Sequence, residues 1–262
     1  MIERSPGENK DGHRRIHCAP YVALAPIYEH VMRHVNYRQW AHYIDSVIKK
    51  LDIKPKKLLD IGCGTGNFIH EMSLIGYQID GCDPSEEMLK IARVNNPATL
   101  FWKDELPRLS HTAENSFHLV TCMYDTMNYL KSLDIFADAL DRVYQLLQPG
   151  GYFIFDMVSK KFCQMYFHHA DEEEVVDRNY AYSRKSYFNK SNSEQFNHFT
   201  IYTPQGIFEE EHVQKIYPFV RIKNMIRLKT PFHFESAYED FSFYEAGKNS
   251  DRFHFILKRP GA

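Results

Sequence analysis

The 262-residue sequence has no long apolar segment and no closely spaced pair of cysteines. No apolar run approaches the roughly 18 residues that a membrane-spanning helix needs. The first twenty residues are polar and charged, without the apolar core of a signal peptide. These absences predict a cytoplasmic protein that does not cross a membrane. The cysteines are odd in number, lack a CxxC motif and are typical of reduced core residues; they are Cys18, Cys63, Cys82, Cys122 and Cys163.

An excess of positive charge is also absent. The formal net charge is -2 and the isoelectric point is about 6.7. Because phosphate contacts need a basic surface, these values argue against a general nucleic-acid binder. One segment near the carboxyl end is locally basic, and it is either a basic patch or a solvated helix face; its cations are Arg221, Lys223, Arg227 and Lys229.

A histidine-rich composition raises the question of a metal site, but the usual spacings are missing. There is no HExxH motif among the 14 histidines. His30 and His34 are one helical turn apart without an evident third ligand. His168 and His169 are adjacent, so their side chains would point in opposite directions on a strand. The sequence therefore predicts no metal site.

The periodicity of apolar residues divides the chain into five parts. Residues 1–17 are predicted to be a disordered tail, and residues 18–50 have the three- and four-residue spacing of a helical cap. Residues 51–159 alternate short apolar runs with amphipathic helices, which predicts a doubly wound parallel sheet. At Lys160 this alternation stops, and residues 218–262 read as a helix followed by a closing antiparallel strand pair.

The aromatic and polar segment 160–217 contains strand-like pieces separated by turns such as "NKSNS" and "TPQG". We expect it to form a small antiparallel sheet inserted into the α/β domain. This sheet would either cover a binding site as a lid or simply thicken the fold. The acidic run Asp171–Glu174 is expected to be a solvated loop.

The stretch "KLLDIGCGTGNFIHEM" joins an apolar run to a helix through Gly62, Gly64 and Gly66. Glycine allows the chain to turn tightly and to approach a ligand closely. A dinucleotide fingerprint would have GxGxxG, but its last position here is Asn67. The pattern therefore argues against a nicotinamide-dependent dehydrogenase.

Three further features follow at the ends of the next predicted strands. Asp83 ends "YQIDGCD", where a carboxylate can accept hydrogen bonds from both hydroxyls of a ribose. Asp104 follows "LFWK" and lies within reach of an adenine amine. The segment "TCMYDTMNYL" closes the fourth strand, where ligands of open sheets bind.

With these features in their order, the chain resembles the class I S-adenosylmethionine-dependent methyltransferases, closely over about Tyr21–Asp156. The resemblance implies a Rossmann-like sheet of seven strands, mostly parallel with the last antiparallel. It also implies S-adenosyl-L-methionine as the cofactor. The residues that would bind this cofactor are Tyr28, Asp60, Gly62, Cys63, Gly64, Gly66, Asp83, Pro84, Met88, Asp104, Glu105, Met123 and Tyr124.

The resemblance extends to a subgroup with a helical cap and an inserted β-lid, in which "EEHVQKIY" is similar to a recurring lid strand. In that subgroup, cap tyrosines that match Tyr21 and Tyr28 line the cofactor or acceptor pocket. At the next position many relatives have an aspartate, where this chain has Glu29. The expected acceptor pocket consists of Tyr21, Asn128, Tyr129 and Tyr217.

Methyl transfer from a sulfonium needs a general base only if the acceptor arrives protonated. His212, Glu211 and Asp125 are the candidates, of which we favour His212 and Asp125. His212 could instead be a packed histidine, and Asp125 and Asn128 could cap a turn.

The sequence thus predicts a methyltransferase acting on a nitrogen or oxygen atom of a small molecule. A tRNA nucleoside or a protein side chain is the alternative acceptor. A non-catalytic S-adenosylmethionine-binding partner subunit would keep the same cofactor residues and remains the other alternative.

Overall fold

The computed structural model describes residues 15–167 and 170–261, so the predicted tail up to residue 14 and the pair His168–His169 lie outside it. The amino-terminal part comprises a strand, a 3-10 turn over Ala25–Ile27 and two helices. Their bounds are β1 Arg15–Cys18, α1 Tyr28–Val31 and α2 Tyr37–Lys50.

The next part alternates strands and helices as the apolar periodicity predicts. Its elements are β2 Leu58–Ile61, α3 Asn67–Leu74, β3 Ile79–Asp83, α4 Glu86–Asn95, β4 Phe101–Lys103, β5 Phe117–Cys122, a 3-10 turn Thr126–Tyr129, α5 Leu133–Leu146 and β6 Leu147–Val158. The remaining elements are α6 Lys160–Tyr166, β7 Ala170–Val175, β8 Ala181–Asn189, β9 Glu194–Thr203, β10 Gly206–Lys215, α7 Phe219–Lys229, β11 His233–Glu239 and β12 Arg252–Lys258.

The central sheet has seven strands in the order β11-β12-β6-β5-β2-β3-β4. Strands β2 to β6 are parallel, and β12 runs antiparallel to both β6 and β11. This confirms the predicted Rossmann-like sheet. The chain order reverses where β2 lies between β5 and β3, and ligands of open sheets bind at such a reversal, outside the carboxyl ends of the strands.

Helices cover both faces of this sheet because each has one apolar face. Trp40 and Ile44 of α2 pack on one face together with Ile69 of α3. On the other face, Phe136 of α5 and Ile226 of α7 pack against β5 and β6. Both faces are therefore buried, as a parallel sheet requires.

The second sheet has the strand order β1-β10-β9-β8-β7 and is antiparallel except at β1. Its presence confirms the expected small antiparallel sheet. Residues 15–17, expected to belong to a disordered tail, instead begin β1, which pairs in parallel with β10 from Arg15 opposite Ile207. The expectation failed because local sequence gives no sign of a partner so distant in the chain.

The acidic run Asp171–Glu174 is not a loop either, because it forms most of β7. The hydroxyl of Tyr182 on the neighbouring strand donates to Glu172 (2.6 Å) and to Glu174 (3.2 Å). Glu174 also pairs with Arg33, at 2.9 Å between Oε2 and Nη2. These partners reduce the repulsion between neighbouring carboxylates and allow the run to pair as an edge strand.

Candidate active site

A cavity of about 1240 Å³ opens at the carboxyl ends of β2, β3, β4 and β5. Its walls come from the glycine loop, the ends of these strands and the segment before α1. We refer to Ala19–Leu24 as the N-terminal strap. The strap connects the two sheets, because the Tyr21 amide donates to Glu210 of β10 (2.8 Å) and the Tyr21 carbonyl accepts from Ser85 Oγ (2.9 Å).

The glycine loop lies at one end of the cavity, with Gly62, Cys63 and Gly64 in its wall. Gly62 and Gly64 both have left-handed backbone angles, with φ of +73° and +56°. A Cβ atom at Gly62 would lie 2.7 Å from a methyl of Thr126. The first glycine is therefore needed both for the turn and for contact with the loop after β5.

Gly66 differs from the other two glycines because it does not line the cavity. It has φ of +79°, and a Cβ atom there would lie 2.7 Å from Nδ2 of Asn96. The predicted cofactor contact at Gly66 is corrected to a packing role between α3 and α4. Asn96 in turn donates to the Gly66 carbonyl at 3.1 Å.

Asp83 lies in the cavity wall at the end of β3, as its predicted ribose role requires. Its Oδ2 accepts from the Gly64 amide (2.9 Å) and its Oδ1 from the Ser85 amide (2.8 Å). Each carboxylate oxygen has a further lone pair available. Burial outweighs these two bonds and raises the pKa of Asp83 to about 6. The group is therefore a charged acceptor at neutral pH.

Asp60, at the end of β2, is a second buried carboxyl in the wall. It accepts a hydrogen bond from Thr121 Oγ1 at 2.7 Å. Burial raises the pKa of Asp60 to about 7, although the hydrogen bond from Thr121 opposes this rise. The remaining predicted cofactor residues of this region also line the cavity; they are Pro84, Met88, Glu105 and Met123.

Asp104 lines the cavity, but its carboxylate is already fully hydrogen bonded. Oδ1 accepts from the amides of Glu105 (3.1 Å) and Ser110 (2.9 Å). Oδ2 accepts from the amide of His111 (2.9 Å) and the hydroxyl of Thr112 (2.8 Å). Since a carboxylate offers about four acceptor positions, Asp104 fixes the loop after β4, and its predicted adenine contact stays a prediction.

Tyrosines form another wall of the cavity. The predicted Tyr21, Tyr28, Tyr124 and Tyr129 all line it, and so does Tyr37 at the start of α2. Sequence reasoning missed Tyr37, although its position at the beginning of an amphipathic cap helix was a usable signal. Burial raises the pKa of the first four phenols, so they remain protonated at neutral pH.

A chain of hydrogen bonds leads from this wall into the second sheet. The Tyr21 and Tyr129 hydroxyl oxygens lie 2.7 Å apart. Tyr129 Oη lies 3.1 Å from Nδ1 of His212, whose Nε2 lies 3.1 Å from Oε2 of Glu210. His212, predicted as a base, does not itself line the cavity and is connected to it through the two tyrosines.

Two residues that were predicted near the acceptor, Asp125 and Asn128, have other partners. Asp125 is not in the wall, because it pairs with Arg252 (3.0 Å) and accepts from Gln214 (2.6 Å). Asn128 is fully buried and bridges the carbonyl of Lys215 and the amide of Val158. Both predictions are corrected to structural roles that hold β10 against the central sheet.

Tyr217 was predicted in the acceptor pocket, and this is also corrected. Its hydroxyl donates to the Leu130 carbonyl at 2.7 Å. Its ring packs edge to face on Phe136, with ring centroids 6.0 Å apart, in the core beneath the central sheet. The residue therefore supports the cavity wall from behind.

No group of three or more histidine, cysteine, aspartate or glutamate side chains within residues 15–167 and 170–261 is placed to hold a metal ion. Among the helices in the same ranges, none combines the length and the apolar character needed to cross a bilayer.

Comparison with known proteins identifies the family. A family profile described as "Methyltransferase domain" matches residues 31–210, which is more than half of the chain. The chain therefore belongs to this methyltransferase family.

Individual relatives support the assignment over the full length. The chain is 24% identical over 250 residues to the Bacillus subtilis (strain 168) protein named "Putative methyltransferase YqeM", covering 91% of this chain and 97% of the relative. The crystal structure of an S-adenosylmethionine-dependent methyltransferase from Clostridium acetobutylicum ATCC 824 superposes with a TM-score of 0.75 at 22% identity, covering 92% and 99% of the two chains.

A further solved structure has the cofactor bound. It is CalS10, an amino pentose methyltransferase from Micromonospora echinaspora, with a TM-score of 0.66, 16% identity and coverage of 89% and 96%. The present chain is an S-adenosylmethionine-dependent methyltransferase. Its cavity fits that cofactor, since Gly62, Cys63 and Gly64 bring the backbone to the wall and Asp83 offers free lone pairs beside them.

Proposed function

We propose that the enzyme transfers a methyl group to a nitrogen or oxygen atom of a small molecule, which binds against the tyrosine wall. The observation on which the proposal depends is the connected pair of hydroxyls, Tyr21 and Tyr129, at a cavity large enough for two ligands. Pockets for one drug-sized ligand have volumes of about 300–1,000 Å³. The cavity of about 1240 Å³ exceeds this range and leaves room for an acceptor beside the cofactor.

When bound, S-adenosylmethionine supplies a methyl group that its positive sulfonium already activates. The protein's contribution is then alignment of the acceptor and exclusion of water, and alignment of this kind lowers barriers by roughly 7–11 kcal/mol. The faces of Tyr21, Tyr28 and Tyr129 also favour a nearby cation, by about 0.5–2 kcal/mol for each well-placed ring.

The size and surroundings of the site favour a small acceptor over RNA. The N-terminal strap contributes Ala19–Val22 to the cavity wall and connects Ser85 to Glu210. Two of the basic residues of α7 are paired with carboxylates, Lys223 with Glu245 (3.5 Å) and Lys229 with Asp134 (3.8 Å), which reduces the positive charge of this face. The similar fold of CalS10, an amino pentose methyltransferase, supports the same choice.

The test has two steps. Calorimetric titration with S-adenosylmethionine and S-adenosylhomocysteine, with Asp83→Ala as the variant, should give binding that the variant loses. Formation of S-adenosylhomocysteine is then measured with a low-molecular-mass metabolite extract, total tRNA and a denatured protein extract in separate reactions. We expect turnover with the metabolite extract, and mass spectrometry of the methylated product identifies its acceptor atom.

Turnover with tRNA or protein alone would overturn the small-molecule assignment in favour of that acceptor. Tight cofactor binding without turnover in any of the three reactions would favour a non-catalytic binding subunit.

A further inference from the structure

Glu210 accepts four hydrogen bonds from nitrogen atoms and a fifth from the Cys18 thiol, although its side chain is fully buried. Oε2 accepts from the Tyr21 amide (2.8 Å) and from His212 Nε2 (3.1 Å). Oε1 accepts from the amides of Ala23 and Leu24, the latter at 2.9 Å. A single carboxylate therefore holds both the N-terminal strap and the imidazole behind the tyrosine wall.

The charge of Glu210 fixes the direction of the hydrogen bonds. Burial alone would raise the pKa of Glu210, but hydrogen bonds from His212 and from the strap amides outweigh it and lower the pKa below its ordinary value. The ionised carboxylate only accepts, so His212 donates from Nε2, and in the neutral ring Nδ1 is then the acceptor. Tyr129 then donates to Nδ1, and Tyr21 donates to Tyr129.

This order leaves a lone pair of the Tyr21 oxygen for a hydrogen of the acceptor. Other groups around His212 do not interrupt this series of hydrogen bonds. The ring of Phe199 lies 5.4 Å from the His212 ring, centroid to centroid, and the Arg184 guanidinium lies 5.5 Å from the centre of the Phe199 ring. The Cys18 thiol lies 3.7 Å from Glu210 Oε1.

We propose that Tyr21, Tyr129 and His212 form a proton path out of the acceptor site, and that Glu210 is a positioning residue that completes this path only when the N-terminal strap is seated. The proposal rests on the proposed function, since it assigns the acceptor to the class of protonated amines and hydroxyl groups. It adds that seating of the N-terminal strap and positioning of the His212 base depend on each other through Glu210.

The reaction balances as follows. A hydroxyl acceptor loses its proton as its lone pair forms the bond to the methyl carbon, whereas a protonated amine loses its proton first and the lone pair so freed forms that bond. In both cases the electron pair of the broken carbon–sulfur bond stays on sulfur. The acceptor's proton passes to the Tyr21 oxygen while Tyr21 gives its own proton to Tyr129 and Tyr129 gives its proton to Nδ1 of His212. The resulting imidazolium is stabilised by Glu210 and releases its proton to water when the strap opens.

The neighbouring carboxylates Asp125, Asp83 and Asp60 have their hydrogen-bond partners away from the tyrosine wall. Asp125 pairs with Arg252, and Asp83 accepts two backbone amides beside the glycine loop. Asp60 accepts from Thr121 at the same end of the cavity. Within residues 15–167 and 170–261, the hydrogen bonds of the Tyr21 and Tyr129 hydroxyls lead to the imidazole of His212.

The first test measures turnover with the acceptor found in the metabolite screen. Tyr129→Phe removes the hydroxyl from the path and keeps the ring. We expect kcat to fall 10²-fold or more near neutral pH, within the range of general acid–base contributions, with KM and cofactor affinity little changed. For an amine acceptor the deficit should shrink as the pH rises, because the free amine loses its proton to the solvent; for a hydroxyl acceptor it should persist. Glu211→Gln, one position away on the exposed side of β10, is the matched control and should behave as wild type.

The second test does not depend on turnover. Long-range ¹⁵N NMR spectra of the full chain should show His212 protonated on Nε2 in wild type and in Tyr129→Phe, and a mixture of tautomers in Glu210→Gln. Hydrogen exchange at the amides of Tyr21, Ala23 and Leu24 should accelerate in Glu210→Gln but not in Tyr129→Phe or Glu211→Gln.

Separate outcomes overturn separate claims. A Tyr129→Phe enzyme with wild-type kcat at every pH, or a His212 ring protonated on Nδ1 in wild type, would overturn the proton path. Unchanged exchange of the strap amides in Glu210→Gln would overturn the coupling to closure. Absence of small-molecule turnover in the wild type, with the expected tautomer and exchange results, would instead contradict the proposed function.

Discussion

Asp83 illustrates at the scale of one residue how the site combines structure and binding. The same carboxylate that fixes the amides of Gly64 and Ser85 offers its remaining lone pairs to the cavity. Because burial raises its pKa to about 6, the charged acceptor is present at neutral pH and is lost within the mildly acidic range.

Cofactor affinity should therefore depend on pH through Asp83. Above about pH 6 the carboxylate is charged and accepts the ribose hydroxyls; below it the protonated group is a poorer acceptor. We expect the dissociation constant for S-adenosylhomocysteine to rise by up to tenfold per pH unit below pH 6. Calorimetric titrations between pH 5 and 8 would measure this dependence.

Asp83→Asn should bind more weakly at pH 8 and show a flatter pH profile. The exposed Asp52→Asn is the control and should retain the wild-type profile. A profile that stays steep in Asp83→Asn would assign the titration to another group.

Asp60 leads to a prediction about stability. Its pKa is about 7 in the folded chain and 3.8 ordinarily, so its neutral form is favoured by folding. This contribution is complete below pH 3.8 and is lost as the pH rises through 7, at about 1.4 kcal/mol per pH unit. Asp60→Asn keeps an acceptor for Thr121 and removes the titration.

The free energy of unfolding is measured by urea denaturation without cofactor at pH 5 and at pH 8. The value for Asp60→Asn minus the value for wild type should be larger at pH 8 by roughly 2–3 kcal/mol. An equal difference at both pH values would show that Asp60 is already ionised in the folded chain.

At the scale of secondary-structure elements, the turn from β2 into α3 depends on glycine for two separate reasons. Gly62 is required by its backbone angle and by the close approach of Thr126, and Gly64 by its backbone angle. Gly66 is required by its angle and by packing on α4. Gly76, after α3, has φ of +97° but no atom within 4 Å of a Cβ built there. Comparing substitutions at Gly76 and Gly66 therefore distinguishes the cost of backbone strain from the cost of lost packing.

Gly76→Ala should cost about 1–2 kcal/mol for a left-handed alanine. Gly66→Ala should cost about 1 kcal/mol or more beyond that, because Asn96 must move and lose its bond to the Gly66 carbonyl. Chemical denaturation of the two variants beside wild type measures the difference. Equal losses would mean that Asn96 adapts freely.

Elements with a local signal were predictable from the sequence, and side-chain partners from distant strands were not. The glycine spacing and the alternation of apolar runs identify the central sheet. Ser85, a residue type favoured at helix N-termini, caps α4 and accepts from the Met88 amide at 3.3 Å. By contrast, β1 depends on parallel pairing with β10. Periodicity contains no information on such pairing.

The same limit applies to the site. Asp104, Asn128 and Tyr217 have residue types and positions that suit ligand contact, but each is used by the fold. Which way a carboxylate or an amide turns after a strand depends on loop amides that no spacing rule identifies. His212 was found from the lid strand, while its connection through Tyr129 required the assembled structure.

At the scale of the whole molecule, the second sheet is joined to the central sheet through buried polar contacts. Gln214 of β10 donates to Asp125 after β5 at 2.6 Å, and Asp125 pairs with Arg252 of β12 at 3.0 Å. Arg252 also pairs with the fully buried Asp156 of β6. One guanidinium thus neutralises two carboxylates between the sheets.

Arg252→Met should therefore destabilise the chain strongly. Removing one partner of a buried ion pair typically costs about 3–5 kcal/mol, because the remaining charge is left uncompensated. Burial already raises the pKa of Asp156 to about 6, against the opposing effect of Arg252. Without the arginine we expect the pKa of Asp156 to rise further. The loss of stability should therefore be larger at pH 8 than at pH 5, where protonation of Asp156 removes the unpaired charge.

Urea denaturation at the two pH values measures this loss, with Arg33→Met as the control. Arg33 also connects the amino-terminal part to the second sheet, through Glu174, but its side chain is half exposed, and such pairs contribute about 0–1 kcal/mol. Adding Asp156→Asn to Arg252→Met should recover part of the stability at pH 8. If Arg252→Met costs no more than Arg33→Met, the attachment of the two sheets depends on apolar packing and Asn128 rather than on this guanidinium.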